Sequence, residues 1–395
     1  MKILVVCQYY YPENFQITPI CEQLVQDGYD VTVLTGLPNY PEGIVDAAYK
    51  TGHRDEMING VRVIRCYEIG RKTGVVHLAL NYISFCVSAL MKVGKLDKDF
   101  DLVFVYQLSP ILMGLPGKKY AKKRGVPMFL YCCDLWPESM KMYVPEGNIA
   151  FKLIDRISRS VYTAADKIAV QAKGFFPYLE TKHKIPKQKL VYIPVFAEDK
   201  YLLSDFHPED KTVDFVFMGN LGLAQDLLSV LKAVESIRDL KGFKVHFVGD
   251  GTVLEQMKAF VHEKGLQEQV VFYGRRPVNE MDTFYKLADA CLVSLKADNQ
   301  TGYSLPAKVP GYMAAGKPII GMIDGSAREI IEESHCGICV GAGDVDGLAA
   351  AMRSFITDGQ RYAQCGDNGR KYFTEHFTKS RFMEKLENEL EGLCQ

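Results

Sequence analysis

The sequence predicts an α/β protein built from two doubly wound, Rossmann-like domains. Three observations carry this expectation. Short apolar runs alternate with helical patterns through residues 1–193. A polar stretch at 194–211 breaks the rhythm, which then restarts. Buried parallel strands joined by helices produce such alternation, and 395 residues exceed what one small core organises.

In the first domain Ile3–Cys7 reads as a strand, Thr18–Asp27 as an amphipathic helix and Asp30–Leu34 as a second strand. Val61–Cys66, Leu102–Tyr106, Met128–Cys132, Lys167–Val170 and Leu190–Ile193 continue the strands, with helices expected at 75–95, 110–124, 148–164 and 173–183. Pro194–Lys211 has no sustained apolar period and reads as an interdomain linker. It sets the first domain at 1–200 and the second at 212–375. Second-domain strands are expected at Val213–Met218, Lys244–Val248, Val270–Tyr273, Ala290–Leu295, Ile319–Gly321 and Ile338–Val340. A charged helix at about 377–392, within the segment 376–395, follows. Two such units place ligand sites outside the carboxyl ends of their strands, in a cleft between two sheet edges.

The apolar share of 48% and the charged share of 24% are those of a soluble globular protein. Eleven cysteines are scattered along the chain, and the apolar opening Ile3–Val6 gives way at once to polar residues rather than to a leader pattern. A reduced, cytosolic protein is the expectation. Cys336-Gly-Ile-Cys339 stands without a second pair at zinc spacing, so it reads as structural cysteine. Residues 1–200 carry 26 Lys and Arg against 20 Asp and Glu, and the remainder carries 21 against 28. A basic first half suggests an anionic surface or substrate for that half. There is no basic stripe with interleaved aromatics, which argues against a nucleic-acid partner.

Val75–Met91 contains no Asp, Glu, Lys or Arg; Arg71 and Lys72 precede it, and Lys92, Lys95 and Lys98 follow. One expectation is a helix buried against the first sheet. The other is an amphipathic helix touching an anionic bilayer. Lys118, Lys119, Lys122, Lys123 and Arg124 add a second basic cluster to the same domain.

The run Ser304–Gly321, SLPAKVPGYMAAGKPIIG, reads as loop, helix, tight turn and strand. Pro306 suits a helix start, Lys308 lies in the first turn, and Gly316 is placed to end the helix. Orphan amides, the helix dipole and one full charge converge there, which makes an anion site. A solvated lysine on an ordinary surface helix is the plainer alternative.

The words Y-M-A-A-G-K-P-I-I after P-x-K resemble the donor-binding segment of glycosyltransferase family 4, whose members are retaining, nucleotide-sugar-dependent enzymes of the GT-B fold. Further motifs follow in the family's order. The first βα connection, Gln8 to Phe15, resembles a Q-Y-x-x-P-E opening, and the resemblance turns Glu13 toward acceptor or donor phosphate. Thr35-Gly-Leu-Pro-Asn39-Tyr40-Pro41 is similar to a family loop that presents Asn39 and Tyr40 to an acceptor sugar. Asp134-Leu-Trp136-Pro-Glu138-Ser matches the family's sugar-transferase pattern and holds the single tryptophan. It implies Asp134 as the group orienting the donor sugar, with Trp136 and Glu138 on the acceptor and an indole face free to stack on a ring. Many relatives have His or Arg before that Asp; this chain has Cys133.

In the second domain Gly219-Asn220-Leu-Gly-Leu-Ala-Gln225 resembles the G-N-x-G-x-A-Q of a branch that transfers N-acetylated sugars in capsule, O-antigen and exopolysaccharide assembly. Many family members have Arg and Lys near Asn220 and Gln225, so Lys308, helix dipoles or Arg275 and Arg276 would meet more of the phosphate charge. Gly249-Asp250-Gly251 falls where relatives line the nucleotide, and Arg275-Arg276 where they hold the base. Many members also carry E-x7-E here. This chain has Tyr303 and Gly311 at those places, so ribose contacts fall to backbone, Ser304 or water, and nucleotide identity stays open.

The resemblance implies a retaining transferase. It would move a sugar, N-acetylated in this branch, from a UDP-sugar to a hydroxyl of an undecaprenyl-diphosphate-linked saccharide, at the cytoplasmic face of the cell membrane. The assigned groups are Asp134, Glu13 and Lys308 for catalysis. For the donor they are Gly219, Asn220, Gln225, Gly249, Asp250, Gly251, Arg275, Arg276, Ser304, Pro306 and Lys308, and for the acceptor Asn39, Tyr40, Trp136 and Glu138. No cofactor or metal is called for. A nucleotide-sugar epimerase of the same fold and a non-catalytic sugar-nucleotide-binding subunit remain as alternatives, the latter because both glutamates are missing. The final helix is implied to pack back on the first domain.

Overall fold

The computed structural model describes residues 1–97, 99–141, 144–206, 211–296 and 305–395. The chain divides into two units, Met1–Ile193 with Met383–Gln395, and Pro194–Phe382.

The first unit holds strands β1 (Lys2–Val6), β2 (Asp30–Thr35), β3 (Asp55–Ile58), β4 (Val61–Arg65), β5 (Leu102–Gln107), β6 (Met128–Cys132), β7 (Lys167–Val170) and β8 (Leu190–Tyr192). They form one sheet in the order β3-β4-β2-β1-β5-β6-β7-β8. Ile3 to Val6, Leu102 to Val105 and Met128 to Cys132 are fully buried, because helices cover both faces of a parallel sheet. Pairing is parallel from β4 to β8.

The edge strand β3 was not expected from the sequence. It runs antiparallel to β4 through a tight turn at Asn59 and Gly60, both at positive φ, as an Asn-Gly hairpin turn requires. Four half-exposed residues with two carboxylates give a weak apolar signal, and they suit an edge.

The second unit holds β9 (Val213–Met218), β10 (Phe243–Val248), β11 (Val270–Gly274), β12 (Ala290–Ser294), β13 (Ile319–Met322) and β14 (Gly337–Val340). Their order is β11-β10-β9-β12-β13-β14, all parallel. One face buries Phe215, Phe217 and Phe247; the other buries Tyr312, Met313 and Phe373. Both sheets reverse their winding beside the first strand of the unit, between β1 and β5 and between β9 and β12, which is where ligands enter this architecture.

Two expected boundaries need correction. The segment 194–211 is not a free linker. Tyr201 and Phe206 are buried in the second unit, with Tyr201 4.7 Å and Phe206 5.5 Å from Tyr285 between ring centres. Two aromatics without periodic spacing anchor a loop while leaving no strand or helix signal. The second unit also runs past 375, because Phe377 belongs to its core and Phe382 meets Phe196 at 5.2 Å. The last helix, Lys379–Gly392, joins the first unit from Met383 onward. There Tyr29 donates to Glu391 at 2.6 Å, and Lys167 pairs with Glu389 at 3.2 Å.

Candidate active site

In the second unit the loops after β9, β10 and β11 are tied together by their own backbones. The Gly219 amide donates to Val248 at 2.9 Å, Leu221 to Asp250 at 2.9 Å, and Gly249 to Gly274 at 2.9 Å. Gly249 sits at φ +149°, and a Cβ there would lie 1.8 Å from the Gly219 carbonyl oxygen. No other residue fits this approach. The glycines of both motifs therefore let two βα turns lie against each other at the carboxyl edge.

The helix Lys308–Ala314 closes on this edge. The Tyr312 hydroxyl, fully buried, accepts the Met218 amide at 3.0 Å, locking the helix to the end of β9. Lys308 then projects its amine over the Phe217 ring, 3.6 Å from the ring centre. It donates to Gln225 Oε1 at 2.8 Å. Burial pushes its pKa down to about 7. A neutral amide and an aromatic face hold this ammonium, with no carboxylate paired to it among the described residues. Gln225 is itself held: its carbonyl accepts the Ser294 hydroxyl at the end of β12.

The other residues that the sequence assigned to a donor are spread more widely. Asn220 is exposed, with its side chain beside Gly222 and Gly251. Asp250 turns its carboxylate onto the Gly251 amide at 2.7 Å and so closes its own turn. Pro306 is partly exposed, two residues before the helix, which begins at Lys308 rather than at the proline. Arg275 is exposed. Arg276 donates to the Tyr273 carbonyl at 3.2 Å and lies 3.7 Å from Glu280. Both arginines follow β11, two strands away from β9. Ser304 and Tyr303 lie outside the described residues.

In the first unit the loops after β1 and β2 meet at Glu13. Its Oε1 accepts the Asn39 amide at 2.8 Å and the Tyr40 amide at 2.6 Å. Burial raises its pKa, against those two hydrogen bonds and the Arg65 charge. Glu13 thus fixes the loop after β2 more than it faces outward; it is 7% exposed. Asn39 is buried as well, and its side chain donates to Leu37 at 2.8 Å and to Glu68. Tyr40 is 44% exposed and open to a ligand.

The Asp134 carboxylate accepts the Ser109 hydroxyl at 2.7 Å. Burial raises its pKa, against that hydrogen bond. Ser109 in turn accepts Trp136 Nε1 at 3.2 Å. Trp136 is 7% exposed, so the expected stacking of a sugar on its face is corrected: the indole packs inside and orients Ser109. Glu138 is corrected too. It is buried, lies 2.5 Å from Lys141 Nζ, and braces the loop rather than meeting an acceptor.

Four participants escaped the sequence reading: Ser109, Phe217, Glu68 and Asn81. Ser109-Pro110 follows β5 at the winding reversal, a position that would have marked it. Glu68 and Asn81 carry no local signal, because their partners are 29 and 42 residues away in Asn39. Among the described residues no group of three His, Cys, Asp or Glu side chains forms a metal site.

Comparison with known proteins agrees with this geometry. Residues 15–195 match the family model "Glycosyl transferase 4-like domain", and residues 203–372 match "Glycosyl transferases group 1". The probable glycosyltransferase WbjE of Pseudomonas aeruginosa is 28% identical over 247 residues, which span 58% of this chain and 58% of WbjE. The chain thus matches little more than half the length of that relative. The putative colanic acid biosynthesis glycosyl transferase WcaI of Escherichia coli is 22% identical across 99% of this chain and all of WcaI. Among solved structures, Anabaena HepE in complex with UDP superposes with a TM-score of 0.71 at 14% identity, over 99% of this chain and 100% of HepE.

Proposed function

The chain belongs to glycosyltransferase family 4, of the GT-B fold, and from that membership we propose that it transfers a sugar from a UDP-sugar to a saccharide on a lipid-diphosphate carrier. The setting proposed is assembly of a bacterial surface polysaccharide, at the cytoplasmic face of the membrane. The names of WbjE and WcaI support the polysaccharide setting, and UDP in HepE supports the nucleotide. The G-N-x-G-x-A-Q loop supports an N-acetylated sugar.

The observation that carries the reading is the Lys308 amine: partly buried, with no carboxylate paired to it among the described residues, and aimed at tightly packed glycine turns. A departing nucleoside diphosphate needs such a cation, together with the backbone amides of the turns. Anomeric configuration is retained through front-face attack, in which the acceptor hydroxyl passes its proton to the leaving diphosphate. The protein then positions groups and stabilises charge. Asp134, fixed by Ser109 and Trp136, orients sugar hydroxyls. Tyr40 and the loop held by Glu13 receive the acceptor.

A coupled assay tests this. UDP release that appears only when a lipid-linked acceptor is added supports transfer. An epimerised sugar nucleotide without UDP release, or tight binding without turnover, would replace the reading with one of the two alternatives.

A further inference from the structure

A cavity of about 310 Å³ lies in the second unit, at the amino edge of its sheet. Its walls include Asp289, which directly precedes β12, and Lys317 and Pro318, which directly precede β13. Lys308 stands at the opposite, carboxyl edge. The helix Lys308–Ala314 runs between the two edges, and its end at Ala315 and Gly316 forms part of the cavity wall.

Two cations line this cavity, and neither is paired with a carboxylate among the described residues. Lys317 is 3% exposed. Its amine donates to the Phe206 carbonyl and, at 2.6 Å, to the Ala288 carbonyl, which leaves part of the ammonium's donor capacity unused. Arg370 Nη2 donates to the Ser204 carbonyl at 2.7 Å and the Ala315 carbonyl at 3.3 Å. Its Nε is buried with no hydrogen-bond partner. The guanidinium lies against the Gly316 turn, where a Cβ would strike that nitrogen. A buried donor without an acceptor costs free energy, so what this wall lacks is an oxyanion. Gly366, in the first turn of the helix Cys365–His376, lines the same cavity. Amides there have no helical partners and carry the positive end of the dipole.

The carboxylates fix what else the ligand carries. Asp289 accepts the Asp214 amide at 2.8 Å. Asp205 and Asp367 are exposed and border the cavity. They repel a bare anion, whereas an anion with hydroxyl groups donates to them. Phe355 and Tyr362, stacked at 5.0 Å between ring centres, give the cavity an apolar side.

We propose that this cavity binds a small polyhydroxylated oxyanion, a sugar phosphate or a sugar acid. Arg370, Lys317 and the first turn of Cys365–His376 hold the anion, and Asp205 and Asp367 accept from the hydroxyls. The site is separate from the one around Lys308, and its occupancy does not depend on the transfer reaction.

Isothermal titration of the full chain with glucose 6-phosphate, glucuronate, inorganic phosphate and glucose tests this. One of the two hydroxylated anions should bind about tenfold or more tighter than phosphate or glucose, and which one does so identifies the anion. Its affinity should be the same in Lys308→Met. Arg370→Gln should weaken it about tenfold or more. Because Arg370 also braces two carbonyls, Ala363→Glu is the second variant. Ala363 is exposed and lines the cavity, so the added carboxylate should abolish binding with an unchanged unfolding temperature. Asp205→Ala/Asp367→Ala should erase the preference over inorganic phosphate. Binding of neither hydroxylated anion, loss of binding in Lys308→Met, or binding untouched by Ala363→Glu would overturn the proposal.

Discussion

Lys308 Nζ lies 2.8 Å from Gln225 Oε1, and this pair joins the helix start after β12 to the turn after β9. Burial lowers the lysine from its ordinary 10.5 to about 7. Between those values the unfolded chain holds the extra proton, so this group makes folding stability rise with pH across that window. A bound diphosphate reverses the effect by favouring the charged amine. Donor binding at pH 8 should therefore take up about one proton. Calorimetry of UDP binding in buffers of different ionisation heat reads this directly, and Lys308→Met should bring the uptake to zero.

Asp134 acts through a chain of two hydrogen bonds. Ser109 donates to it, and Trp136 Nε1 donates to Ser109. Trp136→Phe keeps most of the buried ring and removes one neutral donor, so turnover should fall about fivefold with little change in thermal unfolding. Asp134→Asn should cost about a hundredfold in kcat. Steady-state kinetics at saturating donor separates the two. Equal losses would show that the indole does more than orient Ser109.

Glu68 is buried beside the loop after β2, held by Asn39, Gln8 and Asn81. Burial, reinforced by the Glu13 charge, holds its carboxyl well above the usual range. The folded state then keeps a proton that the unfolded chain loses above about 4.5. The stability Glu68 contributes is full below that pH and drains as pH rises toward its folded value. Glu68→Gln, neutral at every pH, should unfold at a higher temperature than the parent at pH 8 and lose that advantage at pH 4.5. Gly36 has no room for change beside it, since a Cβ there would lie 2.1 Å from Glu68 Oε2. Gly36→Ala should destabilise by about 2 kcal/mol or more in denaturant unfolding.

The charge role proposed for Lys308 and the turn amides is the one a divalent cation fills in other phosphate-leaving reactions. Transfer assayed in excess EDTA should then stay within about twofold of the untreated rate, and added magnesium should not rescue Lys308→Ala.

The parallel sheets were legible because their strands are buried on both faces and read as unbroken apolar runs. The strand-to-helix turn after β9 was legible because its glycines allow a close backbone approach. The edge strand β3 was not, since an edge tolerates the charges of Asp55 and Glu56. The 194–211 segment misled because Tyr201 and Phe206 anchor it singly. At the site, residue types pointed to Lys308, Asp134 and Glu13, but not to what each one touches. Trp136 looked like a sugar platform because the sequence shows an aromatic without its burial. Ser109, which joins Trp136 to Asp134, is an ordinary serine until β5 and β6 lie side by side.

The most direct test of the account is acceptor-dependent UDP release by the parent and by Lys308→Ala. Loss of one preorganised cation from the leaving diphosphate is worth about 3–4 kcal/mol. The rate should fall about a hundredfold to a thousandfold, with an unfolding temperature at pH 7 no lower than the parent's, since the alanine has no charge whose burial opposes folding there. Equal rates and equal donor affinity in the two proteins would contradict the assignment of Lys308 to the diphosphate.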